Sequence, residues 1–221
     1  QSTPIKCASD GYYHHNIQKD DVVCWPTNLG WMMGPWLIFA SLINKATVAL
    51  YYGAPMGVEF GAFVQDAEVN MLGVVPSIVR QWKNTGTMEV FDWSKINCFS
   101  STGEASNPEE MKYLMQLGNN KPIIEYCGGT EIGGGYVTST IVQPNIASTF
   151  STQALGGEFV LLDENNQLSN KGEMFLIPPI MGLSNSLLNR DHFKVYYEGI
   201  PKYMGKVLRK HGDELVELEN G

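Results

Sequence analysis

The sequence predicts an α/β fold: a doubly wound, mostly parallel sheet with helices on both faces, followed by a small antiparallel β subdomain. Three observations carry this. From Asp21 to about Thr140, short β-rich apolar runs alternate with amphipathic helical stretches, the pattern of strands buried on both faces. Two glycine-rich runs follow strand-like segments, where open parallel sheets bind ligands. After about Asn145 the helical stretches give way to short strands and turns. The expected division is therefore an α/β part over residues 1–145 and a β-rich part over 146–221.

Taken in order, Val22–Trp25 reads as a strand and Trp36–Asn44 as a helix with Pro35 at its first turn. Ala46–Tyr52 is a near-continuous apolar strand closed by Gly53 and Pro55, and Val58–Ala67 is a helix with Val58, Ala62 and Phe63 at core spacing. Asn70–Val75 is a strand, Ser77–Lys83 a helix after Pro76, and Lys95–Ser100 a further strand. Asn107–Leu117 has the strongest helix signal, with Asn107 at the N-cap, Pro108 at N1, and Glu109 and Glu110 at the positive end of the helix dipole. Ile123–Tyr126 is the next strand. Beyond Asn145 the expected strands are Gly157–Asp163, Gly172–Pro178, Val195–Glu198 and Lys206–Arg209, with a turn at Glu164–Gln167.

Composition bounds the function. The 221 residues are 43% hydrophobic and 17% charged, enough for sizeable cores with no disordered tract. Fifteen Lys+Arg against 23 Asp+Glu give a net charge of −8, which argues against nucleic-acid partners but not against a nucleotide bound with Mg²⁺. Cys7, Cys24, Cys98 and Cys127 form no CxxC pair and read as buried thiols of a reducing compartment. A zinc site on the adjacent His14 and His15 has poor ligand spacing. The longest apolar run, Trp31–Ile43, is interrupted by Gly34, Pro35 and Ser41 and is too short to span a membrane. The start, QSTPIKCASD, has neither Met nor signal-peptide pattern, and the chain is expected to be cut from a longer protein.

Four segments carry chemistry. In YCGGTE (Tyr126–Glu131), glycines permit close backbone approach, and a hydroxyl beside a carboxylate offers hard oxygen ligands suited to Mg²⁺ and phosphate; a glycine-rich turn with a solvated Glu is the equally simple alternative. SSTGEASN (Ser100–Asn107) is a second rim loop that leads into a capped helix. NLGWMMG (Asn28–Gly34) supplies Trp31 and Met32 to an aromatic, methionine-rich cluster of the kind that is usually core. HGD (His211–Asp213) sets a carboxylate at a strand end.

The order TNLGW, GAP, VVPSIVR, STGEASNPEEM, YCGGTE and HGD, from about Asp21 to Asp213, resembles that of AMP-forming, adenylate-forming enzymes, in particular acetyl-CoA synthetases and related acyl-activating enzymes. The resemblance implies an acid–thiol ligase that converts a carboxylic acid and ATP to acyl-AMP and pyrophosphate, then passes the acyl group to coenzyme A. It implies that Gly103, Glu104 and Ala105 pack against adenine, with Ala105 where the family usually has proline. It implies that Glu125 meets the adenine amino group, and that Tyr126, Cys127, Gly128, Gly129 and Thr130 line the nucleotide. Thr130 and Glu131 would be the catalytic pair, Thr130 at phosphate and Glu131 at Mg²⁺, and Asp213 would hold the ribose hydroxyls. Thr27–Gly34 would wall the acyl pocket through Trp31 and Met32. Gly128, where acetyl-specific relatives place tryptophan, implies an acyl pocket deeper than acetate needs, and Gly128→Trp is expected to shift preference toward acetate.

The family's lysine-bearing phosphate loop and its C-terminal lid domain, with a catalytic lysine, find no counterpart in these residues. The chain alone is therefore expected not to turn over, with the missing N- and C-terminal segments as its partners. An adenylating enzyme with a non-CoA acceptor and a non-catalytic nucleotide- or acyl-binding domain are the alternatives. The expected compartment is the cytoplasm, or the peroxisome for a plant-type relative.

Overall fold

The computed structural model describes residues 2–219. In chain order its elements are α1 (Thr3–Tyr13), β1 (Val22–Cys24), α2 (Met33–Ile43), β2 (Thr47–Ala49), α3 (Val58–Asp66), β3 (Met71–Val74), α4 (Pro76–Thr85), β4 (Cys98–Ser101) and α5 (Pro108–Leu117). They continue as β5 (Ile123–Gly129), β6 (Gly134–Thr138), β7 (Thr152–Gln153), β8 (Phe159–Leu162), β9 (Lys171–Leu176), α6 (His192–Tyr196), β10 (Lys202–Tyr203), β11 (Lys206–Val207) and β12 (Arg209–Val216).

Seven strands form one sheet in the order β2-β1-β3-β4-β5-β6-β7. The first five are parallel, and β6 and β7 complete the sheet antiparallel. Alternate residues of each parallel strand enter opposite cores. Val23, Met71 and Cys98 pack with Cys7 of α1 and Trp36, Leu37 and Ala40 of α2. Cys24, Leu72 and Phe99 pack with Phe60 of α3, Trp82 of α4 and Met111 and Leu114 of α5. The period-two pleat thus places helices on both faces. β12-β9-β8 form a separate antiparallel sheet, and β10-β11 a hairpin.

Local chemistry explains the boundaries. The Asn107 side chain accepts from the Glu109 N–H at 2.9 Å and starts α5. Asp163 Oδ1 accepts from the N–H groups of Asn165 and Gln167, and Asn166 takes a positive φ, which closes the turn after β8. The expected strand Ala46–Tyr52 shrinks to Thr47–Ala49: β2 is the edge strand, and Leu50 and Tyr52 extend into solvent. The expected strand at Val195–Glu198 is instead the end of α6, because Asp191 caps the N–H groups of Phe193 and Lys194. Lys206–Arg209 divides between β11 and the start of a longer β12. α1, β6 and β7 lie outside the sequence expectations altogether.

Candidate active site

The YCGGTE run is a strand and then a turn, not a loop. β5 continues through Cys127, Gly128 and Gly129, which pair antiparallel with β6 across a bulge at Cys127/Gly128. Only Thr130 and Glu131 stand in the turn, where the N–H groups of Ile132 and Gly133 both return to the Gly129 carbonyl. α1 supports this turn from behind: Cys7 Sγ donates to the Gly133 carbonyl at 3.2 Å, and Asp10 Oδ2 accepts from the Gly135 N–H at 3.0 Å. Thr130 is exposed, and Glu131 is partly exposed.

β12 brings the third segment to the turn. His211 Nδ1 lies 3.3 Å from Glu131 Oε1, and its Nε2 lies 3.4 Å from Asp213 Oδ2. Tyr136 Oη donates to the same Asp213 oxygen at 2.5 Å, and Cys127 Sγ lies 3.1 Å from Tyr136 Oη. The result is a continuous chain of polar contacts from Glu131 to Cys127. The His211 imidazole holds the Glu131 carboxyl below the ordinary carboxylate range. Burial pushes the Cys127 thiol up to about 11 and the Tyr136 hydroxyl well above its usual value, so both act as neutral hydrogen-bonding groups.

The second rim loop is fixed by its own side chains. Glu104 does not point toward a flat ligand: its carboxylate accepts from Ser77 N at 3.1 Å and from Ser77 Oγ at 2.9 Å, binding the N-terminal turn of α4. Gly103, at φ +91°, and Ala105 are left exposed beside it. Thr102 Oγ1 donates to the Tyr126 carbonyl, so the loop after β4 is stitched to β5. Glu125 is 6% exposed; Ser106 Oγ donates to it at 2.7 Å, and burial pushes its carboxyl up to about 6.

Several expected site residues stand elsewhere. The Tyr126 ring is buried behind β5, where its hydroxyl donates to Asp10 Oδ2 at 2.5 Å and accepts from Trp36 Nε1 at 3.1 Å. Only its main chain faces the rim. A Cβ on Gly128 would lie 2.0 Å from the Gly134 carbonyl oxygen, so a side chain there would be directed at β6. A tryptophan at this position would require β6 to shift. Trp31 is 71% exposed and encloses no pocket among the described residues, while Met32 packs against the core of α2. His15 is spent inside the fold, Nε2 on Ser100 Oγ and Nδ1 on the Asp10 carbonyl, both at 3.0 Å.

Sequence reasoning missed Tyr136, Ser106 and the bridging place of His211. The alternation Arg209, His211, Asp213 along a strand was the available signal for the last.

Among the described residues no group of three or more His, Cys, Asp or Glu side chains could hold a metal ion. Glu131 alone, ionised and open to the rim, fits Mg²⁺, which takes one or two carboxylates and completes its shell with phosphate and water oxygens.

A family model described as AMP-binding enzyme matches residues 5–181. The probable acyl-activating enzyme 17, peroxisomal, of Arabidopsis thaliana is 52% identical over 224 residues, covering 99% of this chain and 31% of that protein. The hexanoyl-CoA synthase of Cannabis sativa is 52% identical over 226 residues, covering 100% and 31%. The chain thus spans about a third of the length of these relatives. The acetoacetyl-CoA synthetase from Streptomyces lividans shares the fold, with a TM-score of 0.85 at 20% identity over 96% of this chain and 34% of that one. With the model matched across most of its length, the chain belongs to the AMP-binding enzyme family.

Proposed function

We propose that this chain is a segment of an AMP-forming acyl-CoA ligase and supplies the adenine, ribose and magnesium side of its adenylation site. The observation that carries the proposal is the meeting of Glu131 and Asp213 across His211 at the end of β5, the strand to which the Gly103–Ala105 loop is tied through Thr102 and Ser106. Two relatives at 52% identity named as an acyl-activating enzyme and an acyl-CoA synthase support the reaction class.

In this reading Glu125 faces the adenine amino group, and Gly103 and Ala105 lie flat against the base while Glu104 anchors their loop to α4. Cys127–Gly129 line the nucleotide through the β5 main chain, and Asp213 accepts from the ribose hydroxyls. Tyr136 occupies Asp213 Oδ2 and so orients the carboxylate. Thr130 Oγ1 faces phosphate and Glu131 holds Mg²⁺, which when bound offsets negative charge on the phosphates. An oxygen of the substrate carboxylate attacks the α-phosphorus and pyrophosphate leaves. The CoA thiolate then attacks the acyl carbon and AMP leaves.

The rim carboxylates Glu131 and Asp213 face a polyanionic substrate, and like charges at a few ångström cost on the order of 1–4 kcal/mol in a partly solvated site. The 221 residues alone should therefore bind nucleotide weakly and show no ATP–pyrophosphate exchange. Joined to phosphate-loop and lid segments of a relative, they should exchange pyrophosphate with a carboxylic acid. Exchange by the chain alone, or silence of the joined protein across a panel of acids, would overturn the proposal. Transfer from acyl-AMP to CoA, rather than to an amine or carrier thiol, tests the acceptor.

Cys7, Cys24 and Cys98 are buried free thiols, in keeping with a reducing compartment. We place the protein in the cytoplasm or the peroxisome, the latter on the name of one relative. No helix among the described residues is long and apolar enough to cross a membrane.

A further inference from the structure

β12 presents Arg209, His211 and Asp213 at alternate positions on its inner face. Arg209 is fully buried; Nη2 donates to Ser184 Oγ at 2.9 Å, and the guanidinium lies 3.8 Å over the Tyr196 ring. Ser184 N in turn donates to the Glu131 carbonyl at 2.7 Å, so the β12 side of the molecule grips the Glu131 main chain. One strand period on, the His211 side chain is 8% exposed and set edge-on to Tyr136 at 4.8 Å. Its two ring nitrogens reach Glu131 and Asp213 separately.

These carboxylates stand on different sheets. Glu131 belongs to the turn between β5 and β6 of the seven-stranded sheet, and Asp213 to the three-stranded sheet. A site that grips one nucleotide at two points needs their separation fixed to within about 0.5 Å. Packing between two sheets sets it only coarsely, whereas a rigid five-membered ring in contact with both sets it directly.

We propose that His211 is a positioning residue that holds Glu131 and Asp213 at one separation and thereby couples metal binding at the first to ribose recognition at the second. The inference rests on the adenylation reading above. It assigns His211 no contact with substrate.

Calorimetry on the chain joined to phosphate-loop and lid segments of a relative separates the two ends. The enhancement of ATP binding by Mg²⁺ reads Glu131, and the preference for AMP over 2′,3′-dideoxy-AMP reads Asp213. In His211→Ala both ratios should fall about tenfold, the scale of a lost charge-assisted contact. An Asn side chain sets its amide nitrogen near the place of Nδ1, so His211→Asn should keep the Mg²⁺ enhancement and lose the ribose preference. Gln reaches the place of Nε2, and His211→Gln should do the reverse. Circular dichroism establishes the fold of each variant, and the Asn and Gln proteins carry the test if the Ala protein fails to fold. Wild-type ratios in all folded variants would overturn the inference, as would Asn and Gln variants that both lose both ratios. A joined wild-type protein that shows neither ratio would overturn the adenylation reading as well.

Discussion

Glu125 combines burial with ionisation in a way that makes it measurable. Its folded value of about 6 stands above the ordinary 4.5 because burial penalises the charged form more than the Ser106 hydrogen bond favours it. Below pH 4.5 the carboxyl is protonated in folded and unfolded chains alike, and its burial costs nothing electrostatically. As pH rises through 6 the folded protein must ionise it in place, and stability falls by about 2 kcal/mol. Glu125→Gln should therefore stabilise the chain by on the order of 1–2 kcal/mol at pH 7 and match wild type below pH 4.5 in urea unfolding. Equal stability at pH 7 would show that the ionised form is not disfavoured. At this scale the sequence marked Glu131 and Asp213 by residue type and neighbours, and Glu125 only through the family resemblance. It could not show that Glu104 faces α4, since that depends on a Ser77 partner twenty-seven positions away.

At the scale of elements, the parallel strands and their helices were legible because apolar runs, prolines and caps are local signals. The β5–β6 hairpin was not. Its pairing residues Gly128, Gly129, Gly134 and Gly135 have the lowest strand propensity, and glycine is there because two backbones meet a ring and a helix too closely for side chains. A Cβ on Gly135 would stand 2.5 Å from the Tyr126 ring, and one on Gly128 2.0 Å from the Gly134 carbonyl oxygen. Gly128→Ala should accordingly part the hairpin at its bulge and cost about 3 kcal/mol or more. Chemical denaturation checks this, and a variant within 0.5 kcal/mol of wild type, the range of an ordinary surface substitution, would mean that β6 moves aside freely. α6 was misread for a different reason: Val195-Tyr196-Tyr197 has strand-forming residues, and the Asp191 cap outweighs them.

Across the whole molecule, the least legible feature is how the first helix is held. Lys6 and Asp10 are both fully buried and paired at 2.7 Å, and polar residues on the inner face blur the apolar stripe by which helices are recognised. The partners that justify them come from far along the chain: Tyr126 Oη and Gly135 N donate to Asp10, and the Leu155 carbonyl accepts from Lys6. Asp10→Asn leaves the ammonium buried without its counter-charge and should cost about 3–5 kcal/mol. Lys6→Met combined with Asp10→Asn should recover part of that loss, since removing both charges removes the mismatch. A single variant as stable as wild type in urea would show that water reaches the pair.

That arrangement also fixes an order of events during synthesis. α1 is made before the strands that bury it, and its inward face is complete only when residues out to 155 exist. At about 5–20 residues per second it waits roughly 7–30 s for them. Through that interval a segment too short to stand alone as a helix in water carries a lysine and an aspartate that keep it hydrated. The charges that lock the finished fold thus also keep α1 from collapsing onto the wrong partner.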